Sequence, residues 1–239
     1  MTHRTARPTR AFLPRVVPAL LGLLLQGAAT IAGAQTATIE WPRIEVSVAE
    51  RRLWVVNERG DSLFTAPIAV GRGTTLKADG RSWTFRTPLG ATVVTAKEVA
   101  PDWMPPDWHY VELAREKGLR LERLPRDSAI TLADGNRLVV LDTLVGLVDT
   151  AWTFRDLPAT DDLIFGGALY IPPFGTRNRS IPGVLGAFRL QLGNGIGLHG
   201  TPDTASIGKA ATHGCIRLRA EDITWLHENI PVGTRVIIR

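Results

Sequence analysis

The sequence predicts a mainly β fold with few helices, one of them near the C-terminus, and an inserted lobe or lid midway along the chain. Three observations carry this. Short runs alternate apolar and polar residues, as half-buried strands do. Turn chemistry separates these runs every few residues, as at Asn57-Glu58-Arg59-Gly60-Asp61, Thr87-Pro88-Leu89-Gly90 and Asp134-Gly135. Only the stretches Val111 to Lys117 and Ala220 to Glu228 have helical composition.

Taken in order, Ile44-Glu45-Val46-Ser47-Val48 alternates, Arg52-Leu53-Trp54-Val55-Val56 follows after a short break, and Leu63 to Val70 lies beyond the next turn. These three predict an antiparallel meander. The β-branched run Thr92-Val93-Val94-Thr95 predicts a further strand whose partner is not evident in the sequence. From about Ala100 the character changes. Trp103-Met104-Pro105-Pro106-Asp107-Trp108 predicts a stiff aromatic loop, and Gly118 ends the short helix after it. Each ring buries a large apolar area, so local packing is the plainer reading of this loop and a substrate platform the sharper one. Ile130 to Leu132 and Leu138 to Leu141 flank Asp134-Gly135 as a hairpin. The insertion is expected over about 107–165.

Ala187 to Leu192 predicts a strand, and Ile196 to His199 another, which delivers His199 at its end. In the second helix, Glu221 and Asp222 suit the positive N-terminal end, and Ile223, Leu226 and Ile230 share one face. Pro231-Val232-Gly233 ends it, and Thr234 to Ile238 closes the chain as a strand.

Composition narrows the function. Residues 1–15 hold Arg4, Arg7, Arg10 and Arg15 and no acid; an apolar run from Val16 to Ile31 and Ala32-Gly33-Ala34 follow. This is the pattern of a secretory signal cleaved after Ala34, leaving residues 35–239 as a single domain. An uncleaved anchor helix is the alternative, because the apolar run approaches the ~20 residues of a membrane span. Pro18, the glycines and the small-residue exit favour cleavage, after which no integral membrane segment is expected. Without its four arginines the chain's 28 basic residues fall to 24, against 23 acidic ones. The basic balance therefore belongs to the leader, and no nucleic-acid footprint remains. We expect a monomer exported to an oxidising space outside the cytoplasm, the periplasm.

Cys215 is the only cysteine, so it forms no intrachain disulfide in an oxidising compartment. It closes Thr212-His213-Gly214-Cys215, with a second imidazole upstream in His199-Gly200-Thr201. A thiol attacks as the thiolate, so an imidazole that accepts its proton turns an inert side chain into an acyl-transfer nucleophile. Between the two, Asp203-Thr204-Ala205-Ser206-Ile207-Gly208 has loop chemistry that lets the chain fold back. Gly214 permits a tight turn with backbone N–H groups left for an oxyanion. Without this context a lone cysteine reads as a small buried hydrophobe. Two other signals are weak. Gly193-Asn194-Gly195-Ile196-Gly197 resembles a phosphate loop but leads into a strand rather than a helix. His199, His213 and Cys215 are zinc-type ligands, yet only three, without close-paired spacing.

Residues 198–239, LHGTPDTASIGKAATHGCIRLRAEDITWLHENIPVGTRVIIR, resemble the L,D-transpeptidase catalytic domain of the YkuD type, through His-Gly-Thr, Thr-His-Gly-Cys-Ile-Arg and the Gly-Thr-Arg-Val ending. Arg52-Leu53-Trp54, Thr87-Pro88-Leu89-Gly90 and Trp103-Met104-Pro105-Pro106 extend the resemblance upstream; residues 111–180 fall outside it. The resemblance implies a β-sandwich of mixed sheets. It implies Cys215 as nucleophile, His199 as general base, the Gly200 carbonyl orienting the ring, and N–H groups of Gly214 and Cys215 in the oxyanion hole. His213 then either tunes the site or pins its loop. Arg217 either supports the thiolate or a substrate carboxylate or forms a structural ion pair, and Thr212 is a structural neighbour of the substrate-binding loop. His227 reads as a helix-end histidine, and His109 carries no motif. The substrate implied is a peptidoglycan tetrapeptide stem, joined through a thioester to a second amine, with no metal or organic cofactor. Alternatives are an L,D-carboxypeptidase or amidase of the same fold, a wall-binding module with a buried thiol, and a zinc protein.

Overall fold

The computed structural model describes residues 42–193 and 195–239; the leader expected over 1–34 lies outside them. Strands β1 (Arg43–Ser47), β2 (Arg52–Val56) and β3 (Ser62–Pro67) form the predicted antiparallel meander. The third run stops at Pro67, and Val70–Gly71 forms a separate short strand, β4. A hairpin of β5 (Thr75–Ala78) and β6 (Arg81–Thr84) precedes β7 (Gly90–Val93) and β8 (Ala96–Val99).

The middle of the chain contains α1 (Asp107–Lys117), β9 (Arg120–Arg123), β10 (Ile130–Thr131), β11 (Arg137–Leu141), β12 (Leu144–Val148), β13 (Phe154–Asp156), β14 (Ile164–Phe165) and β15 (Ala168–Ile171). Next come β16 (Phe188–Gln191), β17 (Gly197–His199), β18 (Ala210–Thr212), β19 (Ile216–Arg217), α2 (Ala220–Asn229) and β20 (Arg235–Ile238). Among the described residues no helix is long and apolar enough to cross a membrane.

Two mixed sheets face each other. The first has the order β3-β2-β1-β20-β7, the second β19-β17-β16-β8. The unassigned partner of the Thr92 strand is the last strand of the chain: β20 pairs antiparallel with β7 on one side and parallel with β1 on the other. Ile44, Val46, Leu53, Val55, Val236 and Ile238 of the first sheet share one core with Leu190, Leu198 and Ile216 of the second and with Ile223 and Leu226 of α2 and Ile230 just after it. Almost all of these are inaccessible to water, and each fully buried Leu or Ile stabilises the fold by about 1.5–3 kcal/mol.

The excursion beyond β8 differs from the expected 107–165. It is closed at its base by reciprocal backbone hydrogen bonds between Trp103 and Ile181 of 2.9 and 2.8 Å. The β9–β15 pairing is parallel and needs residues 168–171, so the lobe extends past 165. Its helix also starts earlier, because Pro106 caps it in an extended conformation and Asp107 suits the first turn. Gly118 terminates it with φ +65°.

Arg179, 1% exposed, fastens this base. Its guanidinium donates to Pro105 O, Pro172 O and Asp107 Oδ1 at 2.8, 2.7 and 2.8 Å. Burial raises the Asp107 pKa, but Arg123 and Arg179 outweigh it and the net shift is downward. Satisfying every face of a buried cation in this way avoids the cost of an unpaired one. The lobe has its own core of Leu124, Leu138, Val145, Leu147, Leu163, Ala168 and Tyr170.

Candidate active site

The second sheet positions the chemistry. Leu190, Leu198 and Ile216 turn one face of it to the core. Period-two alternation therefore turns Arg189 of β16, His199 of β17 and Arg217 of β19 to the opposite face. Cross-strand pairing aligns Glu98, Arg189, His199 and Arg217 in one row across four strands. The next row contains Ala96, Gln191 and Gly197. Cys215, two residues before Arg217, continues that second row beside Gly197. Strand spacing and rise put its Cα roughly 8 Å diagonally from that of His199, on the same face.

His199 is 4% exposed, and its Nδ1 lies 2.6 Å from Gly200 O. A carbonyl only accepts, so Nδ1 carries the proton and Nε2 of the neutral ring keeps a free lone pair. Burial, foremost, brings this imidazole from 6.5 to about 4; the Gly200 carbonyl opposes the shift, while Arg217 and Arg189 add to it.

A stability consequence follows. Between about pH 6.5 and 4 the unfolded chain takes up a proton here that the folded chain refuses, so stability falls as pH drops through that window, by about 3 kcal/mol for this residue. His109 and His213, also lowered chiefly by burial, act in the same direction. Thermal unfolding from pH 7 to 4 is expected to show a falling Tm, and His199→Gln to flatten part of that slope. An unchanged slope in the variant would refute the buried, neutral assignment.

Cys215 is half-buried. Burial pushes its thiol above the ordinary value, against the opposing pull of the Gly197 N–H and of Arg189 and Arg217. The thiol points to Gly195 O at 3.7 Å rather than to the imidazole. Burial thus disfavours the charged form of both groups, the thiolate and the imidazolium.

The loop before Cys215 is tightly held. Thr212 Oγ1 donates to Cys215 O at 2.6 Å and accepts from Gly214 N–H at 3.1 Å. Thr87 Oγ1 donates to Gly214 O at 2.9 Å and accepts from Gly71 N–H at 2.8 Å. Gly214 has φ +134°, and a Cβ there would come within 3.2 Å of Arg86 O, so glycine is required on two grounds. The Gly214 N–H, expected to be free for an oxyanion, is thus engaged by Thr212, as hydroxyls commonly do in such turns. Among the described residues the Cys215 N–H has no partner. Thr212, 2% exposed, faces this loop and not open space.

His213 turns to the lobe. Its ring stacks on Trp108 of α1 at 3.8 Å and meets the Phe85 ring edge-on at 4.6 Å. Nε2 lies 2.8 Å from Glu112 Oε2, and Glu112 also takes Arg72. Burial raises the Glu112 pKa, yet His213 and Arg72 bring it down overall. The carboxylate therefore accepts, and His213 donates from Nε2. With that nitrogen committed, His199, His213 and Cys215 do not converge as ligands. Among the described residues no three His, Cys, Asp or Glu side chains are grouped to hold a metal ion.

Arg217 is tied to Asp203 Oδ2 at 3.3 Å and to Ser206 Oγ at 3.5 Å. His227 stacks on Phe188 at 4.2 Å, on the core side of the sheet. His109 packs edge-on against Trp103. The sequence carries no signal for Arg189, Glu98 or Glu112 at the site, and marks Trp108 and Thr87 only as parts of an aromatic loop and a turn. Alternation along β16 does place Arg189 opposite Leu190, but no local pattern reveals that it pairs with His199.

Residues 42–238 match the YkuD family, the L,D-transpeptidase catalytic domain. The probable L,D-transpeptidase ErfK/SrfK of Escherichia coli (strain K12) is 27% identical over 195 residues, covering 82% of this chain and 43% of that protein. The probable L,D-transpeptidase YbiS of the same strain is 48% identical over 52 residues, 22% of this chain and 17% of that one. The putative L,D-transpeptidase YkuD of Bacillus subtilis (strain 168) is 46% identical over 63 residues, 26% and 38% of the two chains. The matches span less than half the length of each of these relatives. The crystal structure of the L,D-transpeptidase (residues 123-326) from Xylanimonas cellulosilytica DSM 15894 is similar with TM-score 0.43 at 15% identity, covering 85% of this chain and 62% of that chain. Because the family match runs through both sheets, the lobe and both His-Gly motifs, the chain belongs to the L,D-transpeptidase catalytic-domain family.

Proposed function

We propose that this chain is a cysteine-dependent L,D-transpeptidase of the cell wall, working in the periplasm on peptidoglycan tetrapeptide stems. The observation that carries the reading is the His199 tautomer: Nδ1 is committed to Gly200 O, so Nε2 is the acceptor, on the same sheet face as the sulfur.

Cys215 Sγ bonds to the carbonyl carbon of the third stem residue while its proton passes to His199 Nε2. The carbonyl electrons move to oxygen, which takes the Cys215 N–H as its donor. Collapse breaks the C–N bond; His199 returns the proton to the departing D-alanine amine, leaving a thioester on Cys215. A second stem's amine then attacks, gives its proton to His199, and expels the sulfur, which recovers a proton from the imidazolium. A raised thiol and a lowered imidazole make a resting ion pair unfavourable, so proton transfer accompanies carbon–sulfur bond formation. Thr212 and Thr87 hold the nucleophile's loop, and His213, gripped by Trp108 and Glu112, serves to pin it rather than to exchange protons. Arg217 is a structural partner of Asp203. No cofactor is needed, because thiol, imidazole and N–H donor supply each step.

Mass spectrometry tests this. The purified chain with a disaccharide tetrapeptide is expected to release D-alanine and form a crosslinked dimer, and a carbapenem is expected to leave a covalent adduct mapped to Cys215. D-alanine release with only hydrolysed tripeptide would convert the assignment to a carboxypeptidase. Neither product, with no adduct, would overturn it.

A further inference from the structure

Two guanidiniums flank His199 in its row, Arg189 on β16 and Arg217 on β19, and they differ in what they already hold. Arg217 is bound to Asp203 and Ser206. Arg189 has only Glu98, whose Oε2 is 3.5 Å from its NH1, and among the described residues its buried Nε donates to nothing. Its side chain also leans out of its own row. A Cβ on Gly197 would lie 2.9 Å from Arg189 Nε, so the stem crosses the neighbouring strand toward the row that contains Cys215. The result is a positive group with spare donors beside both His199 and Cys215.

The chemistry of the leaving group says what belongs there. His199 hands its proton to the amine of the departing residue, and in a tetrapeptide donor that residue's free carboxylate is attached through one carbon to the same amine. It must therefore come to rest within a few ångströms of His199. We propose that Arg189 binds this terminal carboxylate, holding the scissile bond over Cys215 and selecting donors that end in a free acid. The inference rests on the transpeptidase reading above.

Guanidinium suits this role because its planar fork takes a carboxylate through two charge-assisted hydrogen bonds. Glu98 keeps the fork in place and also accepts from Gln191. The ion pair is incomplete, which leaves Arg189 able to take a second anion. A coupling to catalysis follows as well. Arg189 is one of the cations that depress His199, so a carboxylate arriving on it restores basicity to the imidazole when the substrate is present.

The experiment compares two donors, a disaccharide tetrapeptide ending in D-alanine and the same compound ending in D-alaninamide, by following release of the terminal residue. The wild-type protein is expected to prefer the acid by 10- to 100-fold in kcat/KM, as roughly expected for loss of a charged hydrogen bond. Arg189→Gln is expected to remove that preference, losing roughly 10- to 100-fold on the acid and little on the amide; Arg189→Lys is expected to restore part of it. Equal turnover of both donors by the wild type, or an equal loss on both in Arg189→Gln, would overturn this inference while leaving the transpeptidase standing. A wild-type protein inactive on both donors would bring down both. The wild-type comparison needs no variant, so a misfolded Arg189→Gln protein does not protect the proposal.

Discussion

Replacing Cys215 by alanine is expected to abolish both D-alanine release and crosslink formation, by roughly 10⁴-fold or more, since removing the nucleophile removes the covalent route entirely. No other residue can substitute, because this is the only cysteine of the chain. Stability is expected to change little: the side chain is half-buried and its polar contacts are weak, to Gly195 O at 3.7 Å and to the Gly197 N–H. The loop is held by Thr212 and Thr87 through backbone atoms of Gly214 and Cys215 that alanine retains. Activity measured beside a thermal melt separates the two effects. A folded variant that stays active would sink the assignment of the sulfur as nucleophile, and one that is unfolded would refute the small structural role given to this side chain.

Removal of the base is expected to have the second largest effect. His199→Gln keeps much of the side-chain volume and can still donate to Gly200 O, yet offers no nitrogen lone pair at the Nε2 position. Its acylation rate is expected to fall by roughly 10²- to 10⁴-fold. The pH profile carries the sharper signature. With the imidazole held to about 4, the wild-type rate should remain high well below pH 6.5 and decline only as the ring protonates near 4. In the variant the rate should instead climb with pH as thiolate is formed by solvent, its midpoint lying above the ordinary thiol value because burial raises Cys215. An acid limb of the wild type centred at 6.5 would show a solvated imidazole and contradict the geometry around Gly200.

Much of the main body and one hairpin of the lobe were legible in the chain. The meander of β1 to β3, the Asp134-Gly135 hairpin, α2 and the closing strand all follow from local alternation and turn residues. The pairing of β20 with β1 joins residues almost two hundred positions apart, and that with β7 residues about 145 apart, and no local period records such partners. The lobe's limits are not legible in the same way. Its base is closed by Trp103 and Ile181 and by Arg179 reaching Pro105, contacts across about 75 residues that leave no trace in spacing. At the site, the motif residues Cys215, His199 and Gly200 could be named from the sequence. The grip of Trp108 and Glu112 on His213 could not, since α1 and the His-Gly-Cys loop are 101 positions apart.

By itself the sequence determined the chemistry on offer: one thiol, an imidazole on a strand end, and a glycine where the backbone must turn. Such features depend on the residue and its immediate neighbours, so they survive reading one stretch at a time. Only the tertiary structure decided which groups are charged and which are free. Burial and cross-strand register set the neutral state of His199, engage Gly214 N–H and Arg217, and among the described residues leave the Cys215 N–H and the Arg189 Nε without a partner. Proton affinity and hydrogen-bond availability depend on what lies within a few ångströms, and those neighbours are brought together by the packing of two sheets rather than by order along the chain.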